Sequence, residues 1–538
     1  MAKGATVLTE LLAEAGIRQV FGIPSGPWCP FMEAMRTGGE VEFVLVSNEA
    51  SAGFMADVCG RITGTPGACY GTTGPGATNL STGVGSAYLD RSPQLAFTSE
   101  VRDSMRQRTV QMGVDHQALF KPLTKWTTTL RPDNFHDTFA RAVQVALSEV
   151  TGPVHLGLPE DLGYADVPPG LTTIPELLRP PLPDPQQLAT VRHLLQHARK
   201  PLLAVGLSVM RTGVWGALRR FIETQRMPVI FTPMAKGLLD EDHPCYAGVL
   251  FHGLSDIVAQ TNQQADLVIA LGYDPVEFNY EDWMPNAPLV SIDTVPADID
   301  RSTYQVACEI VCDLRSAIEQ LSTFPACANA WELQPLARRR AQMFAALTPE
   351  LSRFSPHHVL HTMRQLMPHD GILTCDVGAH THLIGQLWRP NAPGNFIMTN
   401  GWSSMGFGIP AALAAKLSLP DRTVACVTGD GGFLMMVGEM ATAARMGLPV
   451  VFVVLTDRNL QLIKVKQERR GYPQYGTALY TDAYRPAPQY FGVPVIAASD
   501  PETFHEAFAT ALAMDGPVIV EAVVDPNEYD AVILKPHK

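Results

Sequence analysis

Apolar runs that end in glycine or in a polar cluster recur along the chain, and stretches of helical composition separate them. Residues 423–466 show this pattern most completely. An apolar run at 423–427 ends at the glycine-rich residues 429–432, an alanine-rich stretch follows at 438–446, and a second apolar run spans 449–455. Run length, β-branched content and glycine position predict strand, turn, helix and strand, which together form a βαβ unit.

Polar residues follow both strands of this predicted unit. Asp430 and Asp457 each come just after a strand, and a right-handed crossover brings the carboxyl ends of the strands to one sheet edge. Two carboxylates suit a hard cation such as Mg²⁺, and Asn459 can add its backbone carbonyl. Gly431 and Gly432 lead toward a helix N-terminus, which favours phosphate. The segment predicts a site for a metal and a diphosphate, although glycine between strand and helix also occurs in any α/β fold.

The spacing of these residues gives a more specific indication. Gly429-Asp430-Gly431, with a polar pair near 457, resembles the thiamine diphosphate motif of the decarboxylase, oxidase and acetolactate synthase superfamily. In most members the second ligand is asparagine, whereas Asp457 stands here, as in fermentative acetolactate synthases. The resemblance implies that Asp430, Asp457 and Asn459 hold Mg²⁺ and that the cofactor is thiamine diphosphate.

An acidic residue in the N-terminal part of the chain matches the same superfamily. Glu49 follows a predicted strand at 42–46 and precedes a small-residue helix at 50–63, and the glycine-rich sequence GTTGPGATN occupies 71–79. By itself, Glu49 is an acid in the first turn of a helix, where the helix dipole favours it. Together these features resemble the pyrimidine-binding domain, which implies that Glu49 bonds N1′ of the aminopyrimidine ring.

The segment at 109–126 also matches the family, but it departs at one position. Where acetolactate synthases commonly carry a glutamine that acts on the substrate, this chain has Met112. Gln111, His116 and Gln117 lie close enough in sequence to take that role, and they are the candidate catalytic residues beside Glu49. A lone histidine such as His116 is more often a hydrogen-bonded structural residue.

A methionine in the C-terminal part has two interpretations. Met405 precedes a predicted small-residue helix, and from composition alone it would be a core methionine. In the family, the apolar residue at this position lies under the cofactor and bends its two rings toward each other. The resemblance also implies contacts to the cofactor from Thr73, Gly378, Ala379, His380, Ser403, Gly429, Asp430, Gly431, Gly432, Asp457, Asn459, Leu462 and Ile463.

Strands that alternate with helices predict an α/β fold of three doubly wound parallel-sheet domains. The expected domains are pyrimidine-binding (1–165), central (187–328) and diphosphate-binding (350–538), and a proline-rich linker lies near 168–185. After the predicted strand at 267–271 the central domain lacks the arginine-rich turn of FAD-binding members, and it contains no GxGxxG motif in the right context. FAD is therefore not expected.

Length and composition restrict the number of domains, the kind of partner and the cellular location of the protein. A chain of 538 residues is expected to form about three domains. The net charge of −13 disfavours a nucleic-acid partner, and no apolar run reaches the length of a membrane helix. The N-terminus contains two glutamates and no signal core, and the nine scattered cysteines are expected to be free thiols. A cytoplasmic location follows.

The resemblance implies a thiamine diphosphate- and Mg²⁺-dependent enzyme that decarboxylates a 2-oxo acid similar to pyruvate and joins the product to a second carbonyl, as acetolactate synthases do. Two alternatives stay open. One is a simple 2-oxo acid decarboxylase or a C–C lyase of the 2-hydroxyacyl-CoA type on the same scaffold, and the other is a non-catalytic paralogue. In the family the active sites lie between two chains, so a homodimer or homotetramer is expected.

Overall fold

Three mainly parallel β-sheets follow one another along the chain in the computed structural model, which describes residues 1–170, 175–350, 353–481 and 483–532. The sequence prediction of an α/β fold with three parallel-sheet domains is confirmed. The exact domain limits given above stay predictions. Among the described residues no helix is long and apolar enough to cross a membrane.

The first sheet has six parallel strands in the order β3-β2-β4-β5-β7-β6, and a short antiparallel pair, β1 with β8, lies apart from it. Its elements are β1 (Ala2–Lys3), α1 (Gly4–Glu14), β2 (Gln19–Gly22), α2 (Cys29–Gly38), β3 (Glu42–Leu45), α3 (Glu49–Thr63), β4 (Gly67–Gly71), α4 (Pro75–Leu89), β5 (Gln94–Glu100), α5 (His116–Phe120), β6 (Trp126–Thr129), α6 (Phe135–Leu147), β7 (Pro153–Pro159) and β8 (Asp166–Val167).

The second sheet also has six parallel strands, in the order β11-β10-β9-β12-β13-β14. Its elements, with one connecting helix, are α7 (Pro185–His197), β9 (Pro201–Val205), α8 (Trp215–Gln225), β10 (Val229–Phe231), β11 (Tyr246–Val249), α9 (Ser255–Asn262), β12 (Leu267–Leu271), β13 (Leu289–Asp293), β14 (Val306–Val311), α10 (Leu314–Leu321) and α11 (Leu333–Leu347). In the predicted linker, residues 171–174 lie outside the described residues, and the rest contains no helix or strand before α7.

The third sheet has seven strands in the order β16-β15-β17-β18-β21-β20-β19, and only the edge strand β19 is antiparallel. Its elements are α12 (Pro356–Leu366), β15 (Ile372–Cys375), α13 (Ala379–Leu387), β16 (Phe396–Ile397), α14 (Gly408–Ser418), β17 (Val424–Gly429), α15 (Asp430–Met436), α16 (Glu439–Met446), β18 (Val450–Thr456), α17 (Gln461–Arg469), β19 (Gln489–Tyr490), β20 (Val493–Ala498), α18 (Pro501–Leu512), β21 (Val518–Val523) and α19 (Tyr529–Val532).

The predicted βαβ unit is present, but its crossover contains two helices instead of one. The glycine-rich residues do not form a separate turn, because α15 begins at Asp430 directly after β17 and α16 follows it. Gly429 is extended, with φ −77° and ψ 160°, and changes the chain direction within one residue. The acidic first residue of α15 suits the positive end of the helix dipole.

Helix α3 lies against α4 at backbone distance. Gly53 and Gly83 make this approach possible, because a Cβ atom on Gly83 would lie 2.5 Å from the Cα atom of Gly53. On another side α3 packs on α14 of the third domain. All residues of α3 from Glu49 to Gly60 are buried as a result.

A side chain of the second domain lies directly on the backbone of the third domain. The ring of His252, which follows β11, lies on helix α13, and its Cδ2 atom is 2.2 Å from the position of a Cβ atom on Gly385. Beside it, Gln386 Nε2 donates to the carbonyl of Val249 at 2.8 Å. Any side chain at 385 would displace the histidine or separate the two domains.

Replacing Gly83 by alanine is expected to lower the free energy of unfolding by about 1–3 kcal/mol, because the new Cβ atom overlaps backbone that cannot move as a side chain can. Urea unfolding followed by circular dichroism measures the change. The matched control is Gly516→Ala, where nothing lies within 4 Å of the new atom. Equal stabilities of the two variants would contradict the close approach of α3 and α4.

Candidate active site

The carboxyl ends of strands β17 and β18 meet at one edge of the third sheet. The two strands are parallel neighbours in which Gly429 pairs with Leu455, so the residues that follow them come together. Asp430 follows β17 directly, and Asp457 follows β18 directly. The structure therefore brings the two predicted metal-ligand side chains to the same edge.

Backbone amides hold both carboxylates. The Asp430 carboxylate accepts from Gly431 N–H at 2.9 Å and from Arg458 N–H at 2.7 Å. Asp457 Oδ1 accepts from Asn459 N–H at 3.1 Å. Arg458 has a φ of 68°, which is uncommon for a residue other than glycine. In this conformation its amide points back at Asp430.

The Asp430 and Asp457 carboxylates repel each other when both are charged, so the pair is suited to binding a cation. Burial raises the pKa of Asp430 above its ordinary value. Burial, and secondly the charge of Asp430, raises the pKa of Asp457, while the positive charge of Lys464 acts in the opposite direction. A divalent cation would stabilise both carboxylates in their charged form. The donor set therefore fits Mg²⁺.

Within the described residues, no group of three or more His, Cys, Asp or Glu side chains is placed to hold a metal ion. The pair of carboxylates would thus need other oxygen atoms to complete the coordination of Mg²⁺, which usually keeps water and phosphate ligands. The backbone carbonyl of Asn459, the third predicted ligand, is one such oxygen atom.

The first turn of helix α13 lies beside the same edge. Gly378 precedes the helix, and Ala379 and His380 begin it. The His380 ring is 3.4 Å from the position of a Cβ atom on Gly429, and burial lowers its pKa to about 4. Its Nε2 atom is buried and has no hydrogen-bond partner among the described residues. Such an atom fits a polar group supplied by a bound cofactor.

Met405 lies over the first turn of α15. Its Cε atom is 3.1 Å from the position of a Cβ atom on Gly431, and Leu460 Cδ2 is 2.9 Å from the same position. Ser403, with a φ of 52°, turns the loop before the methionine and donates its hydroxyl to the carbonyl of Asn400 at 2.7 Å. The predicted residues 403, 405 and 431 are therefore close to one another.

Asp376, for which the sequence predicted no role, fastens this loop to helix α15. Its buried carboxylate accepts from Gly406 N–H and from the Thr428 hydroxyl, each at 2.8 Å. A Cβ atom on Gly432 would lie 2.0 Å from Asp376 Oδ2, so only glycine fits there. The signal that identified Asp430, a carboxylate directly after a predicted strand, was present for Asp376 as well.

Glu49 lies in the first domain as the first residue of α3, and it is buried. Its Oε2 atom accepts from Asn79 Nδ2 at 3.1 Å, and its Oε1 atom is 3.1 Å from the position of a Cβ atom on Gly76. The acid and the glycine-rich sequence that predicted a pyrimidine-binding domain are therefore in contact. The role of Asn79 was not predicted.

The start of α3 is also joined to the third domain. Ser47 N–H donates to Glu439 Oε1 at 2.9 Å, and the Ser51 hydroxyl donates to the sulfur of Met436 at 3.3 Å. No sequence signal pointed to Glu439, because its partner lies 392 positions away in the chain. These contacts place the end of α15 against the helix that carries Glu49.

The glycine turn before α4 touches the segment in which a substrate-binding residue was expected. Thr73 is buried and donates its hydroxyl to the carbonyl of Ser99 at 3.0 Å. Gly74 has a φ of 70°, and a Cβ atom on it would lie 2.8 Å from the carbonyl oxygen of Met112. Met112 is 48% exposed, and its neighbour Gln111 is exposed too.

His116 and Gln117 are engaged inside the first domain. His116 is buried and accepts from Gly74 N–H at 3.1 Å, and its other ring nitrogen is bonded to Thr98. The Gln117 amide donates to Glu100 and accepts from a threonine hydroxyl. Every polar side-chain atom of the two residues therefore has a partner, and these bonds do not favour their predicted contact with a substrate.

The remaining predicted residues lie on helix α17. Leu462 is half-buried, and Ile463 is 46% exposed. Two lysines follow on the same helix. Lys464 acts electrostatically on Asp457, and the charge of Lys466, together with the larger effect of burial, lowers the pKa of His382 on α13. The exposed face of α17 therefore adds positive charge beside the candidate metal site.

Comparisons with known proteins agree with this geometry. Three models of the thiamine pyrophosphate enzyme family match the chain in order. The N-terminal TPP binding domain matches residues 2–119, the central domain matches 188–321, and the C-terminal TPP binding domain matches 376–522. The last of these contains both aspartates, and the first contains Glu49.

Curated relatives cover nearly the whole chain. The acetolactate synthase large subunit of Parasynechococcus marenigrum is 30% identical over 563 residues, which cover 99% of this chain and 90% of the relative. The isozyme 2 large subunit of Escherichia coli is 30% identical over 534 residues, with 98% and 96% covered. The acetolactate synthase of Bacillus subtilis is 26% identical over 551 residues, with 98% and 94% covered.

Three parallel sheets, the paired carboxylates and these matches define an enzyme that uses thiamine diphosphate. The chain belongs to the thiamine pyrophosphate enzyme family, in which it is similar to acetolactate synthase large subunits.

The stability of the protein is expected to depend on the protonation of His116. Burial lowers its pKa to about 4 from an ordinary value of 6.5, so the unfolded chain takes up a proton in a pH range where the folded chain does not. The wild type should therefore lose stability relative to His116→Gln as the pH falls from about 6.5 to about 4. Urea midpoints of both proteins at pH 7.5 and pH 5 measure this difference.

Glutamine has no titration in this range and can still accept from the Gly74 amide. Parallel shifts of the two midpoints would show that His116 keeps an ordinary pKa in the folded chain.

Proposed function

We propose that this protein catalyses the thiamine diphosphate- and Mg²⁺-dependent decarboxylation of a 2-oxo acid followed by carboligation, with pyruvate as the substrate and 2-acetolactate and CO₂ as the products. The observation that carries the proposal is the pair of carboxylates at the ends of β17 and β18, in a chain similar to acetolactate synthase large subunits over nearly its full length.

In this proposal the third domain binds the charged end of the cofactor. Asp430 and Asp457 supply two carboxylate oxygens to Mg²⁺, and Asn459 supplies its carbonyl oxygen. The amides at the start of α13 would hold the diphosphate, and His380 Nε2 would donate to it once the phosphate charge favours the protonated imidazole. Mg²⁺ also removes the repulsion between the two aspartates, so metal and cofactor binding would reinforce each other.

Glu49 and Met405 have different tasks. Glu49 shares a proton with the ring nitrogen N1′ of the aminopyrimidine, and Asn79 fixes the orientation of its carboxylate through the bond to Oε2. Met405 supports the middle of the cofactor with an apolar side chain and excludes water. Thiamine diphosphate, when bound, supplies the nucleophilic carbon that adds to the 2-oxo group and stabilises the charge left by CO₂.

The central domain is proposed to work without FAD. In a sheet of this order, a nucleotide would lie where the strand order reverses, between the ends of β9 and β12. Here the backbones that follow the two strands lie in contact with each other. A Cβ atom on Gly206 would lie 2.4 Å from the carbonyl oxygen of Gly272, and Ser208 N–H donates to the same oxygen at 3.1 Å.

The active sites are proposed to lie between two chains of a homodimer or homotetramer. Glu49 and the metal-binding aspartates belong to separate domains, and apolar side chains near both are exposed in the single chain. Those are Leu45, Met112, Val114, Leu434 and Met435. Covering such a surface by a second copy would remove it from water.

All nine cysteines are free thiols, which supports the expected cytoplasmic location.

The residue at position 112 supports a second candidate function. Met112 stands where acetolactate synthases commonly carry a glutamine, and it is exposed with a φ of 59°. An apolar side chain there cannot hydrogen-bond a carbonyl acceptor. A 2-oxo acid decarboxylase, or a C–C lyase of the 2-hydroxyacyl-CoA type, is the alternative that this difference favours.

The products formed from pyruvate separate these functions. With pyruvate, Mg²⁺ and thiamine diphosphate, the protein is expected to form one 2-acetolactate for each CO₂ released, and chelation of Mg²⁺ with EDTA should abolish both. Gas analysis and a colorimetric assay measure the two products. CO₂ without acetolactate would identify a decarboxylase, and cleavage of a 2-hydroxyacyl thioester without turnover of pyruvate would identify a lyase.

Glu49→Gln is expected to reduce turnover by at least about 100-fold, because an amide cannot exchange a proton with N1′. The fold should be retained, since glutamine can still accept from Asn79. Steady-state kinetics and circular dichroism measure the two effects, and the matched control is Glu42→Gln, because Glu42 is an exposed residue of the neighbouring strand β3. Near-normal turnover in Glu49→Gln would refute the assigned role.

A further inference from the structure

A series of buried and partly buried hydrogen bonds crosses the first domain. It joins Gly74, His116, Thr98, His155, Thr127, Gln117 and Glu100, which lie on five different elements or turns. The successive donor–acceptor distances are 3.1, 2.9, 2.7, 2.7, 2.7 and 2.6 Å. We call this set of residues the polar relay.

Every bond of the polar relay has a fixed direction. A backbone N–H of Gly74 can only donate, so His116 Nε2 accepts and its ring proton lies on Nδ1. His116 Nδ1–H then donates to Thr98, and the Thr98 hydroxyl donates to His155 Nε2.

The second half continues in the same direction. The remaining proton of His155 lies on Nδ1 and is donated to Thr127, whose hydroxyl donates to Gln117 Oε1. The Gln117 amide donates to the carboxylate of Glu100. All donors therefore point from Gly74 toward a negative charge, which strengthens each bond of the series.

Burial preserves the neutral histidines that this arrangement needs. Thr98 and His155 are fully buried, and His116 is 2% exposed. Burial lowers the pKa of His155 well below its ordinary value, and the neighbouring His116 contributes to the shift. The ring of His155 also stacks on Phe120 at a centroid distance of 4.3 Å.

Both ends of the polar relay touch one exposed segment, residues 102–115. At one end, Gly74 lies against Met112. At the other end, Arg106 donates to Glu100 at 2.5 Å and to the Thr129 hydroxyl at 2.9 Å. Apart from one short 3₁₀ turn, the segment contains no helix or strand, and most of its residues are exposed. It therefore has little regular structure of its own to hold it in place.

We propose that the polar relay fixes the exposed segment 102–115 from below, and that His116, Thr98 and Gln117 are positioning residues for it. The segment carries Gln111 and Met112, so under the proposed function the relay sets the substrate-facing surface without touching the substrate. The role of the polar relay at the substrate-facing surface rests on the proposed function. The claim that the relay holds segment 102–115 in place does not depend on it.

Thr98→Val tests the relay at its middle. Valine has nearly the shape of threonine but can neither accept from His116 nor donate to His155. In the protein without added ligand, amide hydrogen exchange across 102–115 is expected to become about fivefold faster. Exchange in strand β12 of the central domain should stay unchanged. With pyruvate, the KM should rise severalfold and kcat should change less.

Thr98→Ser is the matched control, because serine keeps the hydroxyl and should restore wild-type exchange and KM. Gln117→Met is a second, half-exposed disruption at the other end of the relay, and it should act in the same direction if Thr98→Val does not fold. Unchanged exchange in Thr98→Val and Gln117→Met, or a serine variant that behaves like the valine variant, would overturn the proposal.

The hydrogen-exchange result separates this proposal from the proposed function. Faster exchange of 102–115 with no turnover of pyruvate by the wild type would support the relay and reject the carboligase. Turnover that is unaffected by faster exchange would reject the link between the relay and the substrate.

Discussion

The burial of helix α3 is the constraint on which the arrangement of the candidate site depends. The helix lies between α4 and α14, and glycine contacts bring it to backbone distance from α4. Near its other end Arg61 pairs with the buried Asp57 and Asp90, and it donates to the carbonyl of Met398 in the third domain at 2.7 Å. A helix held on so many sides cannot slide, so the position of Glu49 at its N-terminus is fixed by packing.

The three domains use one sheet architecture in different ways at the carboxyl ends of their strands. In the third domain this edge carries carboxylates and small residues. In the first domain it carries an acid that faces a glycine-rich turn. In the central domain the backbone of Gly206 lies against that of Gly272 at the corresponding edge. Fold alone therefore does not determine binding, and the residues at the strand ends do.

Local signals predicted much of the fold and part of the site. Strand length and glycine position identified β17 and β18, and the crossover rule brought Asp430 and Asp457 together. The start of α15 at Asp430 was missed because glycines suggest a turn, whereas here they provide room for Met405 and Asp376. The partners of His116 and Gln117 could not be predicted, since Thr98, Glu100 and Thr127 come near helix α5 only through the fold of the first domain.

The contact between His252 and Gly385 bears on how the molecule can move. An imidazole ring seated on the backbone of α13, beside the bond from Gln386, leaves no free layer along which the second and third domains could shear. Those two domains should therefore behave as a single rigid body on the timescale of turnover. Access of small molecules to the cofactor would then be governed by the exposed loops of the first domain.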